Sequence, residues 1–92
     1  MTRCRMRIYY SGRVQGVGFR YAVKTLAPGY ELSGTVRNLD DGRVELVAEG
    51  SREELDAFRE GVKSAGVGQF IRNEEIVWEP PVGGLKGFEI IR

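Results

Sequence analysis

Apolar and polar residues alternate along three stretches of the chain, at 5–11, 32–37 and 43–49. Such alternation is typical of a β-strand with one buried face, because successive side chains point to opposite sides of a sheet. A weaker pattern, with apolar residues around a polar centre, predicts a fourth strand at 69–78. A short closing strand is predicted at 87–91.

Two further stretches repeat apolar residues at helical spacing, which predicts one buried stripe on each helix. Their apolar positions are Phe19, Ala22, Val23 and Leu26 in the first stretch, and Leu55, Phe58, Val62 and Ala65 in the second. Pro28 and Gly29 end the first helix, because proline cannot continue the hydrogen-bond ladder. Ser51 and Glu54 have the spacing of a capping box, which predicts the start of the second helix.

The order of these elements is strand, helix, strand, strand, helix, strand, followed by the short closing strand. This order predicts an α+β, ferredoxin-like fold, in which both helices cover one face of an antiparallel sheet. A right-handed crossover would place the loop at 11–20 at the end of the first strand. We expect the far end of the second strand, at Asn38, to reach the mouth of that loop, just before a hairpin turn at Asp41 and Gly42.

Length and charge limit the kind of protein that the chain can form. Ninety-two residues predict a single domain over residues 1–92. A content of 41% hydrophobic and 29% charged residues is typical of a globular protein. Fourteen basic and thirteen acidic residues give a net charge of +1, which lacks the basic footprint of a nucleic-acid-binding protein. We therefore expect no nucleic-acid partner.

The residue types that bind metals or form disulfides are scarce. Cys4 is the only cysteine and histidine is absent, so neither an internal disulfide nor a zinc site is expected. The basic start of the chain is followed by an apolar run at 8–10 that is too short for a signal-peptide core or a membrane span. A cytoplasmic location without membrane contact is the resulting expectation.

The loop SGRVQGVGFR, residues 11–20, carries the candidate chemistry. Glycines at 12, 16 and 18 allow a tight turn in which backbone N–H groups converge on an anion, and the following helix adds its own free N–H groups. Arg20 in the first helical turn could close over the anion with two parallel hydrogen bonds. We call residues 15–20 the cradle loop. The plain alternative is an ordinary glycine-rich connection.

Two common nucleotide-binding patterns do not fit this loop. A Walker A loop requires Lys-Ser/Thr after its last glycine, and Phe19 and Arg20 stand there instead. A dinucleotide fingerprint that begins at Gly16 would need a third glycine where Tyr21 stands.

Residues 11–20 and 34–45 together resemble the pair of signature motifs of the acylphosphatases, and the similarity extends over essentially the whole chain. The resemblance implies an enzyme with a ferredoxin-like fold that hydrolyses small acyl phosphates as a monomer, without metal or organic cofactor. It implies that Arg20 binds the phosphoryl group beside the cradle loop and that Asn38 orients the attacking water. The implied substrate-binding residues are Gln15, Gly16, Val17, Gly18, Phe19 and Arg20.

The chemistry of that reaction suits a chain that has no histidine and no recognisable pair of nucleophile and base. The leaving carboxylate has a conjugate acid with a pKa of about 4, so it departs without a general acid. Phosphoryl transfer requires mainly positioning and charge stabilisation, which a loop of N–H donors and one arginine can provide. With no base evident, we expect a phosphate oxygen of the substrate to accept the proton of the water.

Several residues also have simpler interpretations. Asp40 and Asp41 are explained better as turn residues than as metal ligands. Phe19 is expected to be a core residue, and Gln15 to act through its backbone rather than its amide. Asn38 could by itself be an ordinary turn residue.

Two other functions remain open at the level of the sequence. The cradle loop could belong to a binding or regulatory module that holds phosphate without turnover. An RNA-binding domain of the same topology could stack bases on aromatic residues, although the ribonucleoprotein signature is missing. The candidate aromatic residues, which stand among scattered arginines, are Tyr9, Tyr10, Tyr21 and Trp78.

Overall fold

The structure is a computed structural model that describes residues 2–92. Its strands are β1 (Arg3–Gly12), β2 (Leu32–Asn38), β3 (Val44–Ser51), β4 (Ile71–Glu79) and β5 (Phe88–Ile90), and its helices are α1 (Phe19–Leu26) and α2 (Arg52–Ser64). Short 3-10 helices follow each α-helix, at Ala27–Gly29 and Gly66–Phe70. Neither α1 nor α2 is long and apolar enough to cross a membrane.

The five strands form one mixed sheet in the order β4-β1-β3-β2-β5. The pairs β1–β3, β1–β4 and β2–β3 are antiparallel, as expected for the ferredoxin-like class. The expectation of a wholly antiparallel sheet needs one correction, because the closing strand β5 pairs in parallel with β2 at the edge. The α+β, ferredoxin-like prediction is confirmed.

The topology explains why the ends of β1 and β2 lie at the same edge of the sheet. Both strands run antiparallel to β3 and therefore parallel to each other, with β3 between them. Tyr10 and Asn38 both pair with Val44, so these three residues form one row across the sheet. The loop after β1 and the turn after β2 consequently begin side by side.

The hydrophobic core lies between the helices and one face of the sheet. It is built from strand residues at alternate positions and from the apolar stripes of α1 and α2. Fully buried members include Met6, Ile8, Tyr10, Val23, Val36, Leu46, Leu55, Phe58 and Val62. Both faces of β3 are buried, because it is the central strand of the sheet.

Every predicted strand and helix is present, and their ends differ from the predicted ones by no more than two residues. The hydroxyl Oγ of Ser51 accepts the backbone N–H of Glu54 at 3.2 Å and caps α2, as its spacing predicted. The strand predicted at 69–78 begins at Ile71 instead, because Gly66–Phe70 forms a 3-10 turn. Pro28 stands in the first turn of the 3-10 helix that follows α1.

The sheet face opposite the helices carries an ion-pair cluster, which we call the open-face cluster. Its members are Arg5, Arg7, Glu45, Glu49 and Glu79. Arg5 contacts Glu49 at 2.6 Å and Glu79 at 3.3 Å, and Arg7 contacts Glu45 at 3.0 Å and Glu79 at 3.2 Å. Burial opposes ionisation of Glu45, but hydrogen bonds from Arg37 and Arg7 hold its pKa below the ordinary value.

Glu49 is fully buried, and its charge is satisfied by three donors. Its carboxylate accepts Nη1 of Arg5 at 2.6 Å and the backbone N–H groups of Val82 and Gly83 at 2.8 and 3.0 Å. Burial alone would raise the pKa of Glu49, but these hydrogen bonds outweigh it and lower the pKa. The contacts also fasten the loop after β4 to the sheet.

Candidate active site

The loop between β1 and α1 is anchored firmly at its start. Gly12 has a φ of 124°, and a Cβ there would collide with the carbonyl oxygen of Phe70. The next residue, Arg13, donates its backbone N–H to that same oxygen at 3.0 Å. Val14 is 1% exposed and belongs to the core. The cradle loop thus leaves the sheet from a fixed point.

The cradle loop presents main-chain donors that the chain itself does not use. Gly16 and Gly18 have φ values of 77° and 79°, a region that side-chain-bearing residues rarely adopt. Across residues 2–92, no group accepts the backbone N–H of any residue from 15 to 20, and Ala22 is the first helical donor, bonding Gly18 O at 3.0 Å. Six amide donors at and just before the start of α1 therefore have no hydrogen-bond partner within the described chain, as is typical of a helix N-terminus.

The start of α1 is held by aromatic packing. Phe19 is 2% exposed, and its ring centroid lies 5.1 Å from that of Tyr10. This contact fixes the helical turn that carries Arg20. Burial raises the pKa of Tyr10 above its ordinary value, so its hydroxyl stays protonated at neutral pH and is no candidate for a base.

A cavity of about 130 Å³ lies beside the cradle loop. The residues that line it are Val14, Gly16, Gly18, Phe19, Arg20, Tyr21 and Asn38. The structure thus brings together Arg20 and Asn38, which are 18 positions apart in the sequence. The side-chain oxygen Oδ1 of Asn38 is buried and has no hydrogen-bond partner among residues 2–92. A buried acceptor of this kind calls for a partner from outside the chain, such as water.

The other predicted substrate-binding residues divide into two groups. Gly16, Gly18 and Phe19 line the cavity, whereas Val17 packs partly buried against the core. The side chain of Gln15 turns away to the hairpin after β2, where its Nε2 donates to two backbone carbonyl groups. Both residues keep a free backbone N–H within the cradle loop.

Two residues of the cavity wall were missed by sequence reasoning. Val14 is an apolar residue between polar neighbours in a glycine-rich loop, which indicates that its side chain is anchored in the core. Tyr21 follows Arg20 in the first turn of α1, and its side chain is 71% exposed. Its place next to the predicted anion-binding arginine was the available signal.

The cavity contains few groups that could act as acid, base or metal ligand. Arg20, Tyr21 and Asn38 provide its polar side chains. Among residues 2–92, no group of three or more His, Cys, Asp or Glu side chains could hold a metal ion. Asp41 instead serves the hairpin, where hydrogen bonds from the backbone and side chain of Arg43 lower its pKa.

The fold and this site define an α+β domain in which a glycine-rich loop with unpaired amides lies beside a carboxamide at one end of the sheet. The family model of the acylphosphatases matches residues 6–90. The chain is 40% identical over 91 residues to an acylphosphatase of Roseiflexus, covering 99% of this chain and 98% of that protein. It is 42% identical over 96 residues to an acylphosphatase of Pseudomonas aeruginosa, with full coverage of both chains.

The same family appears among solved structures. The crystal structure of acylphosphatase from Bacillus subtilis superposes with a TM-score of 0.88 at 39% identity, covering 97% of this chain and 99% of that chain. The chain belongs to the acylphosphatase family. Its activity is accordingly that of an acylphosphatase, the hydrolysis of acyl phosphates, which confirms the prediction from the two motifs.

Proposed function

We propose that this acylphosphatase cleaves the carboxyl-phosphate bond of small acyl phosphates by in-line attack of a water molecule, without a metal ion. The observation that carries the proposal is that Arg20 and Asn38 line one cavity, and that the buried Oδ1 of Asn38 has no partner among residues 2–92. One residue is a cation suited to the phosphoryl group, and the other an acceptor suited to water.

The phosphoryl group binds to the cradle loop. The amides of residues 15–20 are free to donate to its oxygens, and the guanidinium of Arg20 adds up to two parallel hydrogen bonds. These donors stabilise the negative charge that spreads over the equatorial oxygens during transfer. Gly16, Val17 and Gly18 contribute through their backbone, and Phe19 through its place at the start of α1.

The attacking water is held by Asn38, whose Oδ1 is an unpaired acceptor for one of the water's hydrogens. The water oxygen forms a bond to phosphorus while the bond from phosphorus to the acyl oxygen breaks, and the acyl group leaves as a carboxylate. The remaining proton of the water passes to an oxygen of the transferred phosphate. A dianionic substrate and water thus yield a carboxylate and monoanionic inorganic phosphate, and no protein group changes its protonation state.

This route is consistent with the residues at hand. The carboxylate is a good leaving group with a conjugate-acid pKa of about 4, so protonation is unnecessary. The cavity wall has no carboxylate, thiol or imidazole that would serve as a base or a metal ligand.

We further propose that the chain acts as a single-domain monomer in the cytoplasm, and that it has no nucleic-acid partner, in keeping with its near-neutral charge.

The experiment is phosphate release from acetyl phosphate and benzoyl phosphate in the presence of a chelator, for the wild-type protein and two variants. We expect the wild type to keep full activity with chelator. Arg20→Ala should lose nearly all turnover and also phosphate binding, whereas Asn38→Ala should lose turnover but still bind phosphate.

Three results would contradict the proposal. Loss of wild-type activity with chelator would reject metal independence, and normal turnover by Asn38→Ala would reject the water-orienting role. Phosphate binding that is unchanged in Arg20→Ala would reject the assigned anion site.

A further inference from the structure

The side chain of Gln15 bridges two parts of the chain that are distant in sequence. Its amide nitrogen Nε2 donates to the carbonyl oxygen of Leu39 at 2.8 Å and to that of Arg43 at 3.0 Å. A carboxamide nitrogen carries two hydrogens, so both are used in this contact. Gln15 is exposed. Two hydrogen bonds that hold an exposed glutamine in one conformation reduce its side-chain entropy, which a glutamine free in solvent would keep.

The two carbonyl groups belong to a turn that is already closed by its own hydrogen bonds. Leu39 donates its backbone N–H to Arg43 O at 2.8 Å, and Gly42 donates to Leu39 O at 3.2 Å. Asp41 accepts both the backbone N–H and Nε of Arg43, at 3.1 and 2.8 Å. The turn is therefore a well-bonded unit, and Asn38 directly precedes it.

No second hydrogen bond joins the cradle loop to this turn within residues 2–92. The backbone bond at the start of the loop, from Arg13 to Phe70, leads to the opposite side, toward β4. The six amides of residues 15–20 make no bond to the rest of the described chain. The amide of Gln15 is thus the hydrogen-bonded link between the loop that carries Arg20 and the turn that follows Asn38.

We infer that Gln15 is a positioning residue, whose amide sets the distance between the carboxamide of Asn38 and an anion bound in the cradle loop. The inference rests on the proposed roles of Arg20 and Asn38. Sequence reasoning assigned Gln15 to the substrate through its backbone; its side chain adds a separate function. In-line attack tolerates little error in the position of the water, since a displacement of about 1 Å can cost about 100-fold in rate.

The inference predicts a division between turnover and binding. Phosphate affinity depends on the loop amides and on Arg20, and neither requires the Gln15 amide to reach the turn. Turnover also requires the Asn38 carboxamide to lie at the correct distance from the anion. Without the link, kcat should fall about 10-fold or more, while the Kd for inorganic phosphate should change by less than about threefold.

The test compares Gln15→Met with Gln69→Met. Methionine keeps the length of glutamine and has no hydrogen to donate. Gln69 is a matched control, because its amide makes one bond to Gly66 O at 3.0 Å within its own turn and it does not line the cavity. For each variant, kcat on benzoyl phosphate, the Kd for inorganic phosphate and the thermal unfolding midpoint are measured.

A double-mutant cycle then separates this inference from the proposed function. If Gln15 acts through Asn38, Gln15→Met should lower kcat in the wild type and have no further effect in Asn38→Ala, assayed at high enzyme concentration. Gln15→Leu, which also has no hydrogen to donate and adds no charge, should lower kcat by a similar factor and replaces Gln15→Met if that variant is unstable.

An unchanged kcat in Gln15→Met, a parallel loss of phosphate affinity, or an equal factor in both backgrounds would overturn the inference. If the single variant Asn38→Ala retained normal turnover, the water-orienting role in the proposed function would be rejected instead.

Discussion

Arginine and backbone amide donors are grouped at two places in this molecule, around Glu49 and at the cradle loop. Only around Glu49 does the chain itself supply an anion that accepts their hydrogen bonds. At Glu49, one arginine and two backbone amides surround a buried carboxylate. At the cradle loop, Arg20 and six backbone amides have no acceptor within the described chain. Glycines with positive φ occur in both loops, at Gly18 and at Gly83.

This difference is the basis of the binding role that we propose for the cradle loop. Donors that are satisfied internally stabilise the fold, whereas donors left without an acceptor in a fixed conformation are ready for a ligand. The fixed conformation of the cradle loop comes from the core side chains Val14 and Phe19 and from the packed end of β1. Substitutions at the two places should therefore affect different observables.

The largest expected effect is on catalysis, through the arginine of the cradle loop. Arg20→Lys keeps the positive charge but loses the planar fork that binds two oxygens at once. We expect kcat/KM on acetyl phosphate to fall about 100-fold. The matched change Arg5→Lys at the internal site should leave kcat/KM within about twofold, because the open-face cluster does not contact the cavity. Equal losses of activity in both variants would break the distinction.

The second effect concerns stability, through the buried carboxylate. Glu49→Gln removes the charge that Arg5, Val82 and Gly83 surround, and a broken buried pair costs about 3 kcal/mol. We expect the free energy of unfolding in urea to fall by about that amount, with kcat unchanged. Glu89→Gln is the control, because its side chain is 64% exposed and 3.9 Å from Lys24, and such pairs contribute less than about 1 kcal/mol. Similar destabilisation by both changes would contradict the account.

The smallest effect is on the pH dependence of stability. The pKa values of Glu45 and Glu49 are lowered in the folded protein from the ordinary 4.5, so the unfolded chain binds more protons as the pH falls. Their stabilisation is complete above about pH 4.5 and is lost as the pH falls through their lower folded values. Urea titrations between neutral pH and pH 3 should show this loss, with a shallower slope in Glu49→Gln. An equally steep slope in that variant would argue against the role of Glu49.

Much of the fold follows from local sequence patterns. Alternation predicted β1, β2 and β3, helical spacing predicted α1 and α2, and the spacing of Ser51 and Glu54 predicted the helix cap that the structure contains. The parallel pairing of β5 with β2 could not be predicted in this way, because three residues carry no signal about their partner or direction.

The candidate site was predictable to a similar extent. Glycine spacing and Arg20 indicated the cradle loop, and strand order brought Asn38 near it. The contact of Gln15 with Leu39 and Arg43 joins residues 24 and 28 positions apart, and no local pattern encodes it. The burial of Glu49 could not be predicted from the sequence either, because it depends on the loop at Val82 and Gly83 folding over the sheet.

The most direct test of the central claim is a titration with inorganic phosphate followed by the backbone amide signals in NMR. The account predicts saturable shifts at residues 15–20, with no comparable change at Val82 and Gly83, whose amides already bind Glu49. In Arg20→Ala the shifts should require a much higher phosphate concentration. Phosphate that binds the wild type while the signals of residues 15–20 remain in place would contradict the account.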